Sequence, residues 1–313
     1  MSDASQKSMA QLERNSLETG KWGNLFMACA GILAAWASNS DALLVDGLYS
    51  GVNFLSAIVA ARVGMSILRQ PDQKRPFGYD ADEAIYVTFR SMALIGILAF
   101  AMFNAIRKII RYSLGGEVPA LNFGPILLYV IAMVTICAGL ALLHHRTYVK
   151  TGRRSEVLVT ERRAAIVDGV LSGAAGLALL MVPFLKGTAF AFLIPIADAI
   201  VVLLLSALIL PAPIRAFRAA LGEIAGESAN AEKISRVRQS LADSVAGLDV
   251  KVVDLAVMKL GRRYSVVGYL NPDHVVLAKD VDRFNDGFQE RCAKILGDVR
   301  TEIILTERPR QSV

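Results

Sequence analysis

The sequence predicts a polytopic α-helical membrane protein with six transmembrane helices, followed by a small α+β ferredoxin-like cytoplasmic domain. Three observations predict it. Of the 313 residues, 54% are hydrophobic and only 20% are charged, with a mean hydropathy of +0.45; an ordinary soluble domain carries about a quarter charged residues. The apolar residues fall into stretches long enough to cross a hydrocarbon core, which takes about 20 residues of helix. From about residue 222 the composition turns polar, and no further span follows. So much apolar surface excludes a disordered chain. Three cysteines, with Cys29 and Cys137 inside apolar runs, exclude a disulfide scaffold.

The expected spans are 22–38, 41–68, 84–110, 121–143, 164–185 and 188–214. The fourth is the cleanest, since Leu121 to Leu143 carries no charge. The second contains Asp41, Asp46 and Arg62 and cannot face lipid all round. The fifth and sixth each hold one acid, Asp168 and Asp198. Residues 1–21 are polar and carry no apolar signal segment, so the chain is expected to begin in the cytoplasm.

Basic residues orient the spans. Lys7, Arg14 and Lys21 precede the first; Arg69, Lys74 and Arg75 join the second to the third. Arg146, Lys150, Arg153, Arg154, Arg162 and Arg163 join the fourth to the fifth, and Arg215 and Arg218 follow the sixth. The opposite side holds Lys186, with Arg107, Lys108 and Arg111 ending the third span. Lys and Arg concentrate in cytoplasmic loops, so both termini are expected there, in the plasma (inner) membrane. This bias accounts for the net charge of +6, and nucleic acid is not expected as a partner.

The domain layout read from this is a cytoplasmic segment over 1–21, a membrane domain over 22–214, a soluble domain over 215–306 and a tail over 307–313. Ala231–Ala246 has helical spacing, Lys251–Leu260 alternates as a strand, Gly261-Arg262-Arg263 turns, and Tyr264–Leu270 is a second strand. Asp280–Leu296 is helical again and Val299–Leu305 a third strand. The order α-β-β-α-β suits a ferredoxin-like sandwich.

An internal repeat carries the chemistry. Span two contains Asp46-Gly47-Leu48-Tyr49-Ser50-Gly51 and span five Asp168-Gly169-Val170-Leu171-Ser172-Gly173. Positions i and i+4 share a helix face, so each helix presents an acid and a hydroxyl beside glycines that permit close helix approach. An acid at membrane depth is costly and marks an ion or proton pathway. Asp46, Ser50, Asp168 and Ser172 are therefore expected around one point, with Asn53, seven residues after Asp46, as a weaker further oxygen ligand.

At these residues the chain resembles the cation diffusion facilitator (cation efflux) family. Ala42-Leu43-Leu44-Val45-Asp46 and Arg163-Ala164-Ala165-Ile166-Val167-Asp168 are similar to the family's approaches to its metal ligands. Pro71-Asp72, Phe77-Gly78 and Glu83 resemble its loop after span two. The resemblance implies six spans, cytoplasmic termini, a transport site shared by spans two and five, and a homodimer formed through the cytoplasmic domain. The departures are specific. Serine stands at Ser50 and Ser172 where the family has aspartate, and Asp168 where it often has histidine. Val253, Tyr269 and Leu305 stand where its soluble domain carries zinc ligands, so no accessory zinc site and no resident cofactor are expected.

The implied cargo is a divalent cation exchanged for protons across the bilayer. Two carboxylates and two hydroxyls form an all-oxygen set, which leans toward Mg²⁺ or Mn²⁺ and leaves Fe²⁺, Co²⁺ and Zn²⁺ open. The acids Asp72, Asp80, Asp82 and Glu83 could gather cations at the mouth or simply form a solvated loop. His144 and His145 point to different helix faces and make a poor chelate. His274 reads as exposed, and Asp198 as structural near the outer mouth. With no Walker loop and no Ser-His-Asp arrangement, neither ATP-driven transport nor an enzyme is expected. The alternative reading is a non-transporting regulatory or scaffolding paralogue that pairs with another transporter.

Overall fold

The computed structural model describes residues 3–66, 69, 71–151 and 155–309. Arg153, Arg154 and the end of the expected tail, 310–313, lie outside the described residues. The chain separates into two compact units, one of residues up to Val59 with Arg90–Arg215, the other of Ala60–Phe89 with the chain from Ala216.

The first unit is helical. It contains α1 (Asp3–Ser38), most of α2 (Asp41–Ser66), most of α3 (Ala81–Ser113), α4 (Phe123–Lys150), α5 (Glu156–Met181), α6 (Ala197–Ile209) and the start of α7 (Pro211–Ile224). Its core is built from Met27 and Ala35 of α1, Leu43 of α2, Ala105 of α3, Met133 and Cys137 of α4, Leu179 of α5 and Val202 of α6. Outward-facing positions are just as apolar: Trp36 is 85% exposed and Leu128 73%. Water would not tolerate such a surface over whole helices; lipid does.

Five stretches among the described residues are long and apolar enough to cross a bilayer: Asp41–Ser66, Ala81–Ser113, Phe123–Lys150, Val157–Leu185 and Ala191–Ile224. The expected first span, 22–38, is not among them. It is the apolar half of α1, shorter than a full crossing and diluted by Gly23, Asn24 and Ser38. Its inner face still packs on α4, where a Cβ on Gly23 would meet Leu140 Cδ1 at 2.9 Å.

Local chemistry sets the helix ends. Asn39 takes a left-handed backbone (φ 56°) between α1 and α2, which asparagine tolerates better than most residues. Its side chain donates to the Ala120 carbonyl at 3.1 Å. Asn122 caps α4 by accepting from the Gly124 N–H. Ser155 caps α5, and its hydroxyl donates to Glu13 of α1 at 2.6 Å. Pro183 and Pro195 lie in two 3₁₀ turns, Val182–Leu185 and Ala191–Ile196, which separate α5 from α6. The sixth helix thus begins later than the expected span, because Lys186–Phe190 form turns.

The second unit carries the α+β domain in the expected order: α8 (Ala231–Val245), β1 (Val250–Leu260), β2 (Arg263–Pro272), α9 (Ala278–Leu296) and β3 (Val299–Leu305). Strand β2 is central, antiparallel to β1 and parallel to β3. The antiparallel pair needs only the turn at Gly261, whereas the parallel pair needs the crossover helix α9. Val237 and Leu241 of α8, Phe288 and Cys292 of α9, and Leu255 and Val266 of the sheet form a second core.

Candidate functional site

Helix α2 is anchored where it begins. Asp198, fully buried on α6, accepts the Ser40 hydroxyl at 2.6 Å and the Asp41 and Ala42 N–H groups at 2.9 and 3.2 Å. A carboxylate at a helix N-terminus satisfies orphan donors and opposes the macrodipole. Lys108 of α3 closes the pair at 3.0 Å. Asp198 is therefore structural, and it fixes the start of the segment that carries Asp46.

Glycines set how closely the helices approach. A Cβ on Gly31 would lie 2.5 Å from Gly47 Cα, so α1 and α2 cross backbone to backbone beside Asp46. In α5 a Cβ on Gly169 would lie 2.8 Å from Cys137 Cβ, and one on Gly176 1.9 Å from Val130. The glycines of the repeat serve packing against α1 and α4.

The acid of one repeat meets the hydroxyl of the other. Asp46 Oδ2 accepts from Ser172 Oγ at 2.7 Å and from Tyr129 Oη of α4 at 2.9 Å. Both bonds fall on Oδ2. Asp168 is half-buried and within electrostatic reach of Asp46, Glu161 and Arg90. Ser50 and Ser172 are each only 4% exposed. Asn53 is differently engaged: its Oδ1 accepts from Arg90 of α3 at 3.1 Å. Among the described residues no group of three or more His, Cys, Asp or Glu gathers, so a site here would have to be completed by hydroxyl oxygens.

Tyr129, Arg90 and Glu161 escaped the sequence reading. Tyr129 had a signal: it is the one tyrosine in the charge-free stretch Leu121–Leu143, and a buried phenol seeks a partner. Arg90 and Glu161 sit near the starts of long helices, where they resemble ordinary flanking charges.

The mouth acids, His144 and His145 are paired. In the second unit Asp72 accepts from the Tyr79 hydroxyl at 2.7 Å and from the Lys74 and Arg75 N–H groups. That Tyr79 bond, first among several, holds Asp72 below the usual carboxylate range. Asp82 takes Ser66 and Arg75. Asp80 is paired with Arg263 at 3.3 Å and Glu83 with Arg262 at 2.8 Å. Burial pushes Asp80 up, with Arg263 opposing. These pairings favour the structural reading of the mouth acids. His144 is buried and its Nδ1 bonds Ser16 Oγ at 2.9 Å, joining α4 to α1, while His145 Nδ1 faces Arg162 on α5.

An apolar-faced helical bundle with five stretches long and apolar enough to cross a bilayer is that of an integral membrane protein. The family model described as the cation efflux transmembrane domain matches residues 21–225, and the chain belongs to the cation efflux family. It is a metal cation transporter by that membership, from a family of transporters rather than enzymes. Among curated proteins, none matches the chain.

Proposed function

We propose that this chain moves a divalent metal cation through a site between α2 and α5, in exchange for protons. Asp46 and Asp168 supply the two negative charges, and Ser50 and Ser172 supply neutral oxygens. The observation that carries the reading is the Ser172–Asp46 bond, because it joins the hydroxyl of one matched segment to the acid of the other, and those segments are 122 residues apart in sequence. Packing alone does not require two acids in matched positions at membrane depth.

Two carboxylates in a dry pocket are neutralised either by a divalent ion or by protons, so the two cargoes compete for one place. Facing the cytoplasm, the pair takes metal and releases protons; facing outward, it takes protons and releases metal. Rigid-body rocking of helices around a fixed site supplies alternating access. Hydroxyl oxygens are hard and neutral, which favours Mn²⁺ or Mg²⁺ over Zn²⁺ in this oxygen set. The proposal includes cytoplasmic termini, insertion in the plasma membrane and pairing through the α+β domain.

The test is reconstitution in liposomes with a metal-sensitive dye and an imposed pH gradient. Metal flux that is coupled to proton movement and lost in both Asp46→Ala and Asp168→Ala supports transport through this site. Flux that survives both substitutions overturns the site. Absence of flux with every divalent metal favours the regulatory paralogue, which the small number of acids in the site also suits.

A further inference from the structure

A groove of about 710 Å³ runs along the surface of the α1–α4 pair. Trp22 and Phe26 of α1 line one side, and Ile136, Gly139 and Leu143 of α4 the other, with Glu18 at one end. The helices touch behind it, where a Cβ on Gly23 would meet Leu140 Cδ1 at 2.9 Å. Gly139 instead leaves room, since an added Cβ there would meet nothing within 4 Å. Trp22 is held against Phe54 of α2, with ring centroids 6.0 Å apart. From Glu18 to Phe26 the helix rises about 12 Å, at about 1.5 Å per residue. One leaflet supplies about 15 Å of hydrocarbon, half of the bilayer core, so the groove has the depth of a single acyl chain.

The polar end of the groove is basic. Gly139, Leu143, Arg146 and Lys150 recur at i, i+4, i+7 and i+11 and share one face of α4, so the groove runs into two exposed cations. Arg14, one turn before Glu18 on α1, is exposed as well. The acids nearby are engaged: Glu18 bonds Lys21, and Glu13 accepts the Ser155 hydroxyl. Bases gathered where spanning helices meet the interface attract anionic headgroups. Lys and Arg lay their stems along apolar surface while their heads reach the phosphate level. Positive residues also orient spans, but orientation does not require them on the face that carries a groove.

We propose that this groove is a binding site for one anionic phospholipid: an acyl chain lies over Gly139 between Trp22 and Leu143, and Arg146 and Lys150 hold the phosphate. The bound chain fills the space beside Gly139 and ties α1 to α4. The site is separate from the polar residues between α2 and α5 and stands whether or not metal binds there.

The test uses the full-length chain in detergent with Trp36→Phe, which leaves Trp22 as its single tryptophan. It follows quenching of Trp22 by phospholipids brominated on the acyl chain. Brominated phosphatidylglycerol is expected to quench saturably. Brominated phosphatidylcholine is expected to need about tenfold more lipid or beyond, since each base near an anionic headgroup contributes about fivefold. Arg146→Gln together with Lys150→Gln is expected to bring the two lipids within about twofold of each other. Gly139→Leu fills the groove and is expected to abolish saturable quenching by both. Quenching that never saturates, or that saturates alike with both lipids in the native background, reports a general annulus and overturns the site. Saturable quenching that survives Gly139→Leu, or a phosphatidylglycerol preference that survives loss of both bases, overturns the placement. Absence of quenching by either lipid overturns the proposal too, and a dimer that Gly139→Leu turns into a monomer would then assign the groove to a second copy of this chain. If Gly139→Leu does not fold, the Arg146→Gln, Lys150→Gln variant decides alone.

Discussion

Asp198 and Ser40 form a 2.6 Å hydrogen bond between α6 and the start of α2, and with Lys108 they fix the helix that carries Asp46. The carboxylate is fully buried and the Lys108 side chain only 12% exposed. Removing one partner of a buried pair strands the other charge, at a cost of about 3–5 kcal/mol. Asp198→Ala is therefore expected to lower the thermal midpoint of the detergent-solubilised protein steeply. Asp198→Asn, which still accepts from the α2 amides, is expected to cost less. Equal midpoints for the two variants would show that the cap adds nothing beyond charge.

The crossing of α1 and α2 makes a second expectation. Gly31→Ala forces a methyl against the Gly47 backbone at 2.5 Å and the Tyr129 hydroxyl at 3.0 Å, and backbone cannot yield as a side chain can. Overpacking of this kind costs about 1–3 kcal/mol. Gly64 and Gly139 have nothing within 4 Å of an added Cβ, so Gly64→Ala and Gly139→Ala are expected to be neutral or stabilising by up to about 1 kcal/mol, the helix preference of Ala over Gly. Thermal unfolding of the three variants ranks them, and transport assays should show loss in Gly31→Ala alone.

Much of this architecture was legible in the sequence because it depends on hydropathy and period. Spans two to five, the α-β-β-α-β order and the strand limits need only local pattern. The meeting of Asp46 with Ser172 was legible from the matched hexapeptides. The partners of those residues were not. Tyr129 reaches Asp46 through the rotation of α4, and Arg90 reaches Asn53 through the approach of α3; neither rotation nor approach is written in a hydropathy profile. The partners of the mouth acids were hidden for a related reason, since Arg262 and Arg263 lie far along the chain from Glu83 and Asp80 yet pair with them. The first expected span shows the limit of composition itself, for an apolar stretch can be the second half of a longer helix whose first half is polar.

The loop acid Asp72 gives a pH expectation outside the membrane. Its folded-state pKa is depressed, with the Tyr79 hydroxyl as the first cause. A depressed carboxylate contributes stability that is complete above its unfolded pKa and is lost as pH falls through the folded value. Tyr79→Phe is expected to raise the Asp72 titration midpoint toward the ordinary carboxylate range, read by carbon-detected NMR of a labelled Asp72. A midpoint that does not move would assign the depression to the Lys74 and Arg75 amides instead.

Ligand chemistry at the proposed site leads to the last expectation. Tyr129→Phe removes one of two donors to Asp46 Oδ2 and leaves the Ser172 bond in place; the net loss is about 1 kcal/mol, seen as a modest change in metal affinity with flux retained. Ser50→Asp and Ser172→Asp act on the donor set itself. Each adds an anionic oxygen and raises the site's negative charge, which strengthens binding of every divalent ion. Zn²⁺ accepts carboxylate oxygen in a tight tetrahedron, so the double variant is expected to shift the flux ratio from Mn²⁺ toward Zn²⁺. Competition between the two metals in liposomes reads that ratio directly. An unchanged ratio, with total flux intact, would mean that positions 50 and 172 do not touch the ion.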